Sequence, residues 1–94
     1  LNANDIDFLI GEANTRLVLE KENISKKTVE LFTQVLVEIP NDITALLVLA
    51  DYNFYSKNYI ISKNYYQKLL SLIDKNSLEY KDIKNRLDEI ENLK

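Results

Sequence analysis

The sequence predicts an all-α fold of stacked, antiparallel helix pairs, and three observations carry that expectation. Apolar residues recur at helical spacing along the whole chain. Gly and Pro, the strong helix breakers, occur once each in 94 residues, so little interrupts the helices. The chain also matches itself at one fixed offset. Thr28, Phe32 and Val35 fall on Ser62, Tyr66 and Leu69, each pair 34 residues apart.

The elements follow in order. Asn4 or Asp5 is placed to cap a first helix whose Ile6, Leu9, Ile10, Ala13 and Leu17 share one face. The polar stretch EKEN (20–23) ends it. Ser25 caps a second helix with Val29, Phe32, Val35, Leu36 and Ile39 inward, and Pro40, which lacks a backbone N–H, stops it. Asp42 caps a third helix from Ile43 to about Ser56, and Asn58 opens a fourth. Asn76 with Glu79 has the spacing of a capping box for a fifth, which runs to the C-terminus. Connections of two to five residues leave consecutive helices antiparallel. On the fifth helix Asp82 with Arg86, and Lys84 with Asp88, are opposite charges four apart. Such pairs are worth about 0.3 kcal/mol each and are expected only to mark a solvated face.

Composition bounds the function. The chain is one domain spanning 1–94, able to bury a single modest core. Its 46% hydrophobic and 29% charged residues exclude a disordered chain. The longest apolar run, 45–50, is far shorter than the roughly 20 residues a membrane-spanning helix needs. No signal-peptide pattern is present, and a start at Leu1 rather than Met reads as a piece cut from a longer protein. With no Cys and no His, the usual ligands for zinc, haem and iron–sulfur clusters are missing, as is the common acid–base residue. One Gly cannot build a phosphate-cradling loop, so no cofactor is expected. A net charge of −3 argues against a nucleic-acid surface. Asp88, Glu89 and Glu91 are neighbours, but neighbours on a helix point apart, so carboxylate-pair hydrolysis has no site. An enzyme is not expected.

The self-match has a physical reading. Where two helices cross closely, a small residue on one receives a bulky residue on the other. Gly11 is expected to be one such contact, since an interior helix glycine costs about 1 kcal/mol relative to Ala. Ala50, Thr28 and Ser62 are the other small contacts, with Phe32, Tyr59 and Tyr66 as wedges. Matching Gly11 to Ala50 at an offset of 39 places about five extra residues in the EKENI turn (20–24). In KNYIISKNYYQKLLSL (57–72), Tyr59, Tyr66 and Leu69 then read as core and Lys57, Lys63 and Lys68 as the wetted side. Tyr65, next to that stripe, equally suits an edge contact for another domain.

A 34-residue helix–turn–helix unit with a small residue four before an aromatic in its second helix resembles the tetratricopeptide repeat. Leu46-x2-Leu49-Ala50 stands where that pattern has W-x2-L-G, and Ile10-Gly11 where it has L-G. Tyr80-x2-Ile83, with Leu87 following, looks like the first helix of a third, truncated unit. The resemblance implies a right-handed superhelix with repeat one at about 4–40, repeat two at about 41–76 and a capping helix at about 77–94.

A narrower likeness covers about Ile10 to Glu91. IGEA (10–13), ISKKTVELFTQVLVEIPND (24–42), ALLVLADYNFYSKNY (45–59) and YYQKLLSLIDKNSLEYKDIKNRLDEIE (65–91) resemble a particular periplasmic domain. It is the C-terminal tetratricopeptide domain of the apocytochrome-binding subunit of bacterial cytochrome c maturation, the haem lyase partner. Tyr66 stands for that family's Trp, Asn58 for its Asp, Lys57 for its turn Gly, and Ile73-Asp74 where it has Pro. The resemblance implies a periplasmic chaperone holding haem-free cytochrome c by its C-terminal helix. The broader reading is a generic scaffold for an envelope or other multiprotein assembly.

In stacked repeats the first helix of each unit lines the hollow side. The expected peptide-binding residues are therefore Phe8, Glu12 and Thr15 on helix one, Thr44, Leu47, Asp51 and Phe54 on helix three, and Lys81 and Asn85 on helix five. Chaperone-binding repeats resemble one another in a basic cluster that clamps a terminal carboxylate. The matching positions here are Glu12, Val48 and Asp51, which would repel one, so an apolar or basic helical segment is the expected guest.

Overall fold

The computed structural model describes residues 3–93 as five α-helices with no strand among them. They are α1 (Ala3–Glu20), α2 (Lys26–Glu38), α3 (Ile43–Tyr55), α4 (Tyr59–Leu70) and α5 (Leu78–Asn92). Local chemistry sets most of the boundaries. Ser25 accepts from the Thr28 amide and Asp42 from the Ala45 amide, each filling an orphan donor of the first turn. At α5 the cap is Ser77, which accepts from the Tyr80 amide, and not Asn76. Asn4 and Asp5 lie inside α1 rather than capping it. Asn58 precedes α4 without a side-chain cap bond; its amide donates instead to Asn53 Oδ1 at 3.3 Å.

The α3–α4 turn closes by Asn58 N–H to Asn53 C=O and Lys57 N–H to Phe54 C=O, the Schellman pattern. It holds Lys57 at φ 65°, a left-handed conformation that Gly adopts without strain.

Among the described residues, close backbone contacts join only consecutive helices: α1–α2, α2–α3, α3–α4 and α4–α5. The result is an elongated body of 41 × 27 × 20 Å. Apolar burial explains the order. Ala45, Val48 and Leu49 of α3 join Ala13, Leu31, Phe32 and Val35 in one core, while Leu46 and Ala50 join Tyr66, Leu69, Ile83 and Ile90 in a second. α3 is thus apolar on two sides because it is the shared middle layer. Leu36 and Tyr65 pack against both cores, so Tyr65 is part of the join rather than a free edge.

The small-to-ring pairing holds in one repeat as expected and is shifted in the other. Ser62, Ala50 and Thr28 are fully buried and Phe32 and Tyr66 nearly so, with Ser62 Oγ donating to the Ala50 carbonyl at 2.8 Å. Tyr59 is half-buried, set edge-on to Phe54. Gly11 is not a crossing contact: it is exposed, and a Cβ built on it would meet nothing within 4 Å. Ala13, at 0% exposure, takes that place. Matching Ala13 to Ala50 makes the offset 37, so the first hairpin is three residues longer than the second rather than five. The mismatch comes from α1, which runs seven residues past Ala13 against five for α3 past Ala50, and from a five-residue turn against three. One residue is taken back because Ser62 lies one position further into α4 than Thr28 does into α2. Gly11→Ala should therefore raise stability by about 1 kcal/mol, seen as a higher melting temperature by circular dichroism. A loss of stability would put something against Gly11 after all.

The fifth helix also departs from expectation. Arg86 pairs with Glu89 (3.3 Å) rather than Asp82, and its guanidinium crosses to α3 and α4. It lies 4.1 Å from the Phe54 ring centre and 5.4 Å from that of Tyr55, and donates to the hydroxyls of Tyr66 (3.3 Å) and Tyr55 (3.4 Å). Lys63, expected in solvent, reaches Glu91 on α5 at 2.8 Å; Lys57 and Lys68 are exposed. α5 is latched to the stack by these polar arms as well as by Ile83 and Ile90.

Candidate protein-binding groove

Because α2 separates α1 from α3, the space between the end of α1 and α3 is left open. An open hollow of about 970 Å³ lies there. Leu17, Ile24, Leu47 and Val48 form its apolar surface, Asp51, Tyr52, Tyr55 and Ser56 its α3 end, and Lys21, Glu22 and Asn23 its rim.

The rim is fixed by Glu20. Its carboxylate accepts from the Ser25 amide (2.8 Å), the Thr28 hydroxyl (2.7 Å) and the Ser25 hydroxyl (2.9 Å), and pairs with Arg16 at 3.3 Å. Lys21 follows at φ 54°, its amide bonded back to the Leu17 carbonyl, which turns the chain across the hollow. The Ser25 amide and the Thr28 hydroxyl pull the Glu20 carboxyl down to about 2, with smaller help from the Ser25 hydroxyl and Arg16 and against opposing burial. A carboxyl lowered on folding stabilises fully above its unfolded value, near 4.5, and that contribution is lost as pH falls toward 2. Melting temperature should fall over this interval, and Glu20→Gln should start lower at neutral pH and fall less. Parallel pH profiles for the two proteins would assign the acid sensitivity elsewhere.

On the α3 wall, Asp51 accepts a hydrogen bond from the Tyr66 hydroxyl. Burial, and then this bond to a carboxylate, keep the Tyr66 phenol above its ordinary range. The chain Arg86–Tyr66–Asp51 ties α5, α4 and α3 together behind the hollow.

Of the residues expected to meet a peptide, Leu47 and Asp51 line this hollow. Phe8, Glu12 and Thr15 are exposed, but on a helix they stand about 140–180° around the axis from Leu17, the α1 residue that does line it. This displacement and the Gly11 error have one origin. Moving the α1 register by two residues carries Phe8, Glu12 and Thr15 onto Ile10, Asn14 and Leu17. Glu12 instead pairs with Arg16 at 3.6 Å. Phe54 is half-buried against the second core, with Tyr55 and Tyr59 edge-on at 5.3 and 5.7 Å and Arg86 over its face. Thr44, Lys81 and Asn85 are exposed and lie outside the hollow. Leu17, Ile24, Tyr52 and Tyr55 are among the lining residues that sequence reasoning missed.

Among the described residues no group of acidic side chains is arranged to hold a metal ion, and no helix is long and apolar enough to cross a membrane. Compared with protein-family models, curated proteins and solved structures, the chain finds no match.

Proposed function

We propose that this chain is a helical-repeat protein-binding module of tetratricopeptide type, which holds a helical peptide in the hollow between α1 and α3. The observation that carries the reading is an open, apolar-floored trough of about 970 Å³ beside the central helix. On the likeness of segments 45–59 and 65–91 to the apocytochrome-binding subunit, the proposed guest is the C-terminal helix of haem-free cytochrome c, held on the periplasmic side of the inner membrane. Titration calorimetry with such a peptide should show saturable binding in the micromolar range. Leu47→Asp, which sets a charge on the trough's apolar surface, should abolish it. No heat with the cognate peptide removes the cytochrome assignment, and binding unaffected by Leu47→Asp removes the trough.

A second reading, a scaffold that docks folded partners, has one observation in its favour. Phe8, Val18 and Leu19 are 72–79% exposed on the side of α1 away from the trough. It predicts that Phe8→Asp disrupts an assembly while Leu47→Asp does not.

A further inference from the structure

We infer that the trough selects a basic side chain: a bound helix places an arginine or lysine against Asp51, Tyr52 and Tyr55, one turn from an apolar residue seated on Leu17, Ile24 and Leu47. This rests on the trough reading above and adds the guest's charge and spacing to it.

Asp51 sets the sign. Its Oδ1 is taken by the Tyr66 hydroxyl, and its Oδ2 has no protein partner among the described residues. Among the described residues no buried side-chain oxygen lacks a partner, so Oδ2 is open to solvent, and Asp51 lines the hollow. At the rim Lys21 and Glu22 carry opposite charges, which leaves the trough with the one negative charge of Asp51. Beside it stand two rings, Tyr52 half-buried and Tyr55 72% exposed.

On the other side of this wall, behind the trough, the protein already holds a guanidinium. Arg86, coming from α5, lies over Phe54 and near the Tyr55 ring while donating to two phenol hydroxyls. Arg86 makes no hydrogen bond or ion pair to Asp51 and meets it through Tyr66, although the charge of Arg86 also acts on Asp51. The second carboxylate oxygen remains to hydrogen-bond a cation arriving from the trough. The spacing follows from α3: Leu47 and Asp51 are four residues, or about 6 Å, apart along its axis. A guest helix lying along α3 therefore offers its apolar anchor at i and its cation at i+3 or i+4.

Peptides of about 15 residues with Leu at i and i+7, differing only in Arg, Lys, Ala or Glu at i+4, test this by calorimetry. Against the wild-type protein the Arg peptide should bind about tenfold more tightly than the Ala peptide, with the Glu peptide weaker still. On Asp51→Asn, which keeps an oxygen for the Tyr66 hydroxyl, the Arg-to-Ala ratio should fall below about twofold. The Arg-to-Glu comparison on wild type needs no variant, so it stands if Asp51→Asn proves unstable. Equal binding of the Arg and Ala peptides, with both abolished by Leu47→Asp, overturns the charge selection and leaves the trough standing. An undiminished ratio on Asp51→Asn overturns the assignment to Asp51. No saturable binding by any of the four overturns the selection and the trough together.

Discussion

Deleting residues 78–94 should abolish cooperative melting or lower the melting temperature by more than about 15 °C. α5 contributes Ile83 and Ile90, both nearly fully buried in the second core. Each is worth roughly 1.5–3 kcal/mol when removed from water, so together they rival the lower end of a small domain's whole stability. The deletion also uncovers Leu69 and Tyr66, each 1% exposed, and releases Arg86 from Phe54, Tyr55 and Tyr66. A stack in which each helix touches only its chain neighbours has no other layer to cover that surface. Thermal denaturation of the shortened chain decides the matter. An unchanged cooperative transition would mean that α5 is not the cap of this core.

Ala13→Leu and Ser62→Leu should each cost about 3 kcal/mol, the upper range for overfilling a packed site. Both side chains are at 0% exposure, at the crossings within α1–α2 and α3–α4. Leu at 62 also leaves the Ala50 carbonyl without the serine hydroxyl it accepts at 2.8 Å. Gly11→Leu, two residues away on the outer side of α1, should cost nothing. Urea denaturation of the three variants separates the registers. If Gly11→Leu were the damaging substitution and Ala13→Leu harmless, α1 would pack on its other side.

The sequence made the helices legible because their determinants are local. Ser25 and Asp42 are short polar side chains placed just before apolar runs, and they cap as such residues do. The second hairpin was legible through Ser62, Ala50 and Tyr66, since a repeat at 34 residues fixes its partners without knowledge of the turn. The first hairpin was misregistered because two small residues lie near the middle of α1, and smallness alone does not choose between Gly11 and Ala13. Periodicity does choose: Ala13 shares the face of Ile6, Leu9, Ile10 and Leu17, and Gly11 does not. Arg86 was hidden for another reason. Pairs four apart are visible along one helix, whereas its partners Phe54, Tyr55 and Tyr66 lie on other helices. The α1 register displaced Phe8, Glu12 and Thr15 and Arg86 covers Phe54, and of the expected lining Leu47 and Asp51 fall within the trough.

The central claim, two hairpins locked by small residues under rings with a trough left beside α3, meets its most direct test in nuclear Overhauser contacts of the folded protein. The Ala13 methyl should show contacts to the Phe32 ring and the Ala50 methyl to the Tyr66 ring, while Gly11 shows none to any ring. Ring contacts at Gly11, with the Ala13 and Ala50 methyls showing none, would contradict the crossings and remove the trough built on them.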